Sequence, residues 1–289
     1  MLHPLILATL ILVSNGLPAH DRNPVLRAVI DEGLAIGVVR VKLPEATFGD
    51  GQTADRQRAA LVEVAGSSRG AEEMLRPSIS APHKLRTRDI KAEGATVRTV
   101  DLHYILRGVD LDAIKPEETF RQLGGAPTEA GNMRFEVRVL EADDLKGPNS
   151  APMSDHEWLI HSRGRLLDRI AVESTDRVIA SRSAESLVFA SRIDPAFGPK
   201  SAFPNRWSTL TVKATGDVSG PPEPYAGGIG YVKLTRLKGQ EGAVAVEIHF
   251  AFAEPRAWFD GAPILRSKFG LIAQDQVRRL RRELLKPKR

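Results

Sequence analysis

Residues 243–253, AVAVEIHFAFA, alternate without a break: Val244, Val246, Ile248, Phe250 and Phe252 fall on one side, Glu247 and His249 on the other. Side chains of a strand point to opposite faces in turn, so five apolar residues at period two specify a strand with one buried face. Residues 230–237, GYVKLTRL, read as its partner, and KGQEG at 238–242 as the hairpin loop between them. Downstream, EPRAWFDGAP at 254–263 ends the sheet pattern. The period then changes. Leu265, Phe269, Ile272, Gln276 or Val277, Leu280 and Leu284 recur at steps of three and four, which predicts an amphipathic helix with arginines on its other face.

Moving towards the N-terminus, residues 96–107 (TVRTVDLHYILR) and 133–140 (MRFEVRVL) alternate in the same way, and 166–193 read as two or three short strands with STD at 174–176 as a turn. A helix is expected from Pro116 to Gly124. Residues 23–33, NPVLRAVIDEG, carry helix punctuation: Asn23 as N-cap, Pro24 at the first position and Gly33 past the end. IGVVRVKL at 36–43 reads as one strand, and 53–65 as a helix capped by Thr53. The fold class predicted is α+β: a large, mostly antiparallel sheet, helices near the N-terminus and a long C-terminal helix packed on the sheet. Residues 20–289 form a single domain in this reading, with a subdivision possible at KGPNSAPMSD, 146–155.

Residues 1–19 read as a signal peptide. The run LILATLILV at 5–13 is too short to span a bilayer, which takes about 20 residues, and small residues follow it, although MLHP supplies no basic n-region. The expectation is export to the periplasm or the extracellular space, with a soluble mature chain. Cysteine is absent, which excludes disulfides, thiolate ligands and cysteine nucleophiles. The net charge of +5 is local: residues 266–289 carry +7, leaving −2 for the rest. That distribution argues against a specific nucleic-acid binder. It leaves Arg278, Arg279, Arg281 and Arg282 as a candidate contact for an anionic membrane surface.

Catalytic motifs are sparse. PYAGGIGYVK at 224–233 has neither the glycine spacing nor the following helix that a phosphate loop needs, so it reads as the entrance to a strand. HEWLIH at 156–161 sets its histidines five apart, where zinc binding on a helix needs four, and reads as a surface loop running into a strand. Two pairs are better placed: Asp101 with His103, and Glu247 with His249, each on one face of a strand. Were those strands neighbours, two imidazoles and two carboxylates would converge as candidate metal ligands. Otherwise the pairs lie on the solvated face of the sheet.

The element order resembles START-type helix-grip domains, in which a curved sheet wraps the last helix around an apolar cavity. Residues 243–285 carry the resemblance best: a closing strand, a Gly/Pro loop containing Trp258 and a long helix. It implies binding of a hydrophobic molecule or lipid, with Phe250, Phe252, Trp258 and Phe269 as lining residues. The chain is long for that family, and the helix near Pro116 is an addition. The leading expectation is thus an exported, non-catalytic binding protein for an apolar or amphiphilic small molecule, needing no cofactor. The alternatives are a metal-dependent or hydrolytic enzyme built on the carboxylate–histidine pairs, and an envelope protein acting through the basic helix.

Overall fold

The computed structural model describes residues 17–123, 128–130, 133–145, 154–213 and 216–284. Residues 1–16 of the expected signal peptide and 146–153 of the expected break lie outside them. Among the described residues no helix is long and apolar enough to cross a membrane.

The strands are β1 (Leu34–Ile36), β2 (Val39–Val41), β3 (Lys84–Ala92), β4 (Ala95–Arg107), β5 (Thr128–Ala130), β6 (Met133–Val139), β7 (Glu157–Leu166), β8 (Ile170–Arg182), β9 (Ser186–Ile193), β10 (Arg206–Lys213), β11 (Gly216–Ser219), β12 (Glu223–Pro224), β13 (Gly228–Arg236) and β14 (Ala243–Pro255). One large sheet runs β3-β4-β14-β13-β9-β8-β7-β6-β5, with β10 added to β8 and carrying β11 and β12. Its pairings are antiparallel throughout. The helices are α1 (Pro24–Arg27), continued as a wider turn to Glu32, α2 (Ala54–Ala65), α3 (Ser68–Met74), α4 (Pro116–Leu123) and α5 (Ile264–Leu284). This is the α+β architecture that the alternation and the C-terminal periodicity predict.

The opening stretch is β14, and β13 is its hairpin partner, with Val232 opposite Ile248 and Leu234 opposite Val246. The two faces of the sheet are covered differently. On the face of Val246, Ile248, Phe250 and Phe252 lies α5, whose Phe269 meets Phe250 and Phe252 edge to face at 6.4 and 5.9 Å. Leu265, Ile272, Val277 and Leu280 are buried along the predicted stripe. α4 joins this side through Phe120 on Phe189. The opposite face is covered by the N-terminal segment. Leu61, Ala65, Ala71 and Met74 of α2 and α3 pack with Phe48 on Ile105, Ala243 and Ala245. Asn23 caps α1 by accepting from Leu26 N, and its amide donates to Ile179 O and Ser181 Oγ. Thr53 caps α2 as expected.

Three local readings are corrected. Residues 36–43 are not one strand: β1 turns back into β2 at Gly37, whose φ of +60° suits glycine. Ser174 to Asp176 are buried inside β8 rather than forming a turn. Thr175 is bonded from elsewhere in the chain: its N donates to Asn205 Oδ1 and its Oγ1 donates to Phe203 O. HEWLIH is mostly strand, since β7 begins at Glu157 and His161 stands opposite Thr175.

Candidate functional site

β4 and β14 are neighbours. Their register sets Glu247 opposite His103 and His249 opposite Asp101, on the face turned away from α5. Cross-strand partners hold their Cβ atoms about 4.5–5.5 Å apart, so the four side chains share one patch. Residues 44–50 cross over this patch, so the face expected to be solvated is closed. Glu247 is fully buried, and His249 and His103 are 2 % and 8 % exposed.

Every member of the patch is held. Glu247 Oε1 accepts from Thr47 N at 2.6 Å and Oε2 from Phe48 N at 2.9 Å. His249 Nδ1 lies 2.7 Å from Asp101 Oδ1, and Arg88 donates to Asp101 Oδ2 at 3.2 Å. The Tyr231 ring stacks on His249 at 4.9 Å while its hydroxyl donates to Pro44 O. His103 Nε2 is 3.5 Å from Glu247 Oε1 and 3.4 Å from Thr47 Oγ1. His249 Nε2 is buried without a hydrogen-bond partner and sits 3.8 Å from Glu247 Oε1.

The electrostatics follow from these contacts. Burial alone would raise the Glu247 carboxyl, yet the adjacent imidazoles of His103 and His249 and the hydrogen bond from the Phe48 amide hold it well below the usual carboxylate range. Burial would lower His249, but its hydrogen bond to Asp101 and the nearby Glu247 carboxylate reverse that, so the imidazole is raised. Asp101 is lowered: burial pushes it up, but His249 and Arg88 outweigh burial.

A second polar group on the same face carries no local motif. Ser186 Oγ donates to Asp50 Oδ1 at 2.7 Å, His20 Nε2 is 2.8 Å from that hydroxyl, and Lys233 pairs with Asp50 at 3.1 Å. Lys233 is the lysine that follows the glycine-rich stretch, and it faces a carboxylate. Gly227, at φ +125°, and Gly228 lead into β13, as a strand entrance should.

That same stretch walls a cleft of about 460 Å³, lined by Leu34, Ala35, Arg192, Ile193, Pro195, Phe197, Pro199, Asn205 and residues 224–229. The hairpin of β1 and β2 closes one side, with Gly37 N donating to Ala226 O. Asn205 fixes the other side by donating to Asp194 O and accepting from Thr175 N. The lining is mainly apolar. Arg192 is one of its lining residues, and its Nε is buried without a hydrogen-bond partner. Nothing in the sequence marked this cleft: its walls come from four separate segments, joined only by the fold.

The lining residues implied by the resemblance stand elsewhere. Phe250, Phe252 and Phe269 contact one another between α5 and the sheet. Trp258 is buried one layer behind the cleft, stacked on Tyr225 at 5.7 Å. Of the four arginines, Arg278, Arg279 and Arg282 are exposed, whereas Arg281 is buried and donates to the carbonyls of Ala81, Pro82 and Ile105. Arg281 therefore serves the docking of α5, because its five N–H groups satisfy backbone that the helix covers.

No family model matches the chain, and no curated protein matches it. Among solved structures it is similar to the lipid transfer and protein localization domain of human StarD13, at 7 % identity, covering 70 % of this chain and 90 % of that one, with a TM-score of 0.38. A second similarity, to transferrin binding protein B of Haemophilus parasuis, has 10 % identity and a TM-score of 0.11, and covers 58 % of this chain and 37 % of that one.

Proposed function

We propose that this protein binds an amphiphilic small molecule, without catalysis, in the cleft between the β1–β2 hairpin, the start of β13 and the loop after β9. The observation that carries this reading is a largely apolar wall with the Arg192 side chain among its lining residues. Ligand sites are typically ~300–1,000 Å³, apolar, and supplied with a few placed polar groups. A guanidinium donor favours an acidic or acceptor-bearing head group, and the apolar wall an aliphatic or aromatic body. The N-terminal apolar run supports action outside the cytoplasm.

The test uses 8-anilinonaphthalene-1-sulfonate, an anionic aromatic probe. The native chain is expected to bind it saturably. Ala35→Trp, at an exposed lining position, should abolish binding, and Arg192→Gln should weaken it about tenfold by removing a charged donor. Equal binding by all three chains would refute the assignment.

A further inference from the structure

We propose that His103, Glu247 and His249 form a three-ligand site for a divalent transition-metal ion. This site is separate from the cleft and stands independently of it. The ligand atoms, two imidazole nitrogens and one carboxylate oxygen, lie within 4.8 Å of one another. Glu247 Oε1 is 3.5 Å from His103 Nε2 and 3.8 Å from His249 Nε2. A tetrahedral ion with bonds of about 2.0–2.1 Å holds its ligand atoms roughly 3.3–3.4 Å apart, so small side-chain movements complete the geometry.

The surroundings fit a metal better than a closed ionic cluster. His249 directs Nδ1 at Asp101, which fixes the tautomer that leaves the Nε2 lone pair free, and that nitrogen is the buried atom without a hydrogen bond. A carboxylate behind a ligating histidine is the usual support of such sites. Tyr231 holds the same ring by stacking, and the amides of Thr47 and Phe48 fix the carboxylate. The two buried carboxylates, Asp101 and Glu247, match the charge of a divalent ion. Two imidazoles with one carboxylate suit zinc(II) or iron(II), and the absence of thiolates argues against copper(I). Three protein ligands leave a fourth position of a tetrahedral ion for water or another small ligand.

The experiment strips the purified full chain with a chelator and titrates it with zinc(II), and separately with cobalt(II) as a spectroscopic probe. Binding of a single equivalent, with visible cobalt bands of a nitrogen–oxygen site, is expected. His103→Ala and His249→Ala should each lower affinity by tenfold or more. Asp101→Asn should weaken it about 10–100-fold while keeping the stoichiometry. Absence of stoichiometric binding by the native chain would overturn the proposal, leaving an imidazolium held between two carboxylates. So would unchanged affinity in histidine variants that fold normally by circular dichroism. The cobalt spectrum of the native chain needs no variant, so it decides the matter even if a substitution prevents folding.

Discussion

The two faces of β14 are made from alternate residues of one strand, yet they differ in almost every physical respect. On one face Val246, Ile248, Phe250 and Phe252 meet α5, and burial of apolar area supplies the stability. On the other, Glu247 and His249 are buried just as fully under residues 44–50, at a desolvation cost that only their hydrogen bonds offset. His20, His161 and Asp50 lie on that second face as well. An apolar filling there would stabilise the fold at least as well. The contrast sets the packing of α5 on one face and, in the reading proposed above, recognition on the face under the N-terminal segment.

The largest expected effect lies on the α5 face. Phe252→Ala removes a buried ring from the cluster with Phe250 and Phe269 and should cost about 3–5 kcal/mol in denaturant unfolding, while leaving metal stoichiometry and probe binding intact. Loss of metal binding in a folded Phe252→Ala chain would break the division between the faces. The next effect is a pH dependence. His161 is held down to about 4, chiefly by burial, from an ordinary 6.5. The unfolded chain therefore binds a proton there before the folded one does, so stability falls as the pH drops from 6.5 to about 4 and levels off below. The change is at most about 3 kcal/mol. His20 is lowered by burial too and acts in the same direction. His161→Gln should flatten the curve in that window, and a curve unchanged by the substitution would contradict the burial of this histidine.

Smaller effects sharpen the comparison at the edges. Asn23→Ala removes the cap of α1 and its two bonds to β8, and should lower the unfolding midpoint by an amount equivalent to about 1–2 kcal/mol. On α5, joint replacement of Arg278, Arg279 and Arg282 by Gln should change stability by less than about 0.5 kcal/mol each, because they are exposed. Arg281→Gln should cost more than any of them, through the carbonyls of Ala81, Pro82 and Ile105. Equal costs at all four positions would contradict the distinct place of Arg281.

The α5 face was legible because its signals are periodic and local: period two in residues 243–253, and steps of three and four from Leu265. The caps at Asn23 and Thr53 were legible for the same reason, since a cap is a contact three residues long. The pairs Asp101/His103 and Glu247/His249 were visible as pairs, but their meeting depends on β4 lying beside β14, a contact about 150 positions apart in sequence. Nor did any pattern announce that residues 44–50 would cover them. The turn expected at Ser174 to Asp176 failed because the stretch is buried within β8, where Thr175 bonds to Phe203 and Asn205 instead. Arg281 was indistinguishable from its neighbours, since only the packing angle of α5 turns it inwards.

The assignment of recognition to the face beneath the N-terminal segment is tested most directly by native mass spectrometry of the full chain, expressed in its native form and purified without detergent or added metal. The account predicts a metal-sized increment that is lost in the His103→Ala, His249→Ala double variant, and an organic mass that is lost in Ala35→Trp. A bare chain mass after loading with zinc(II) and with an anionic amphiphile would contradict it.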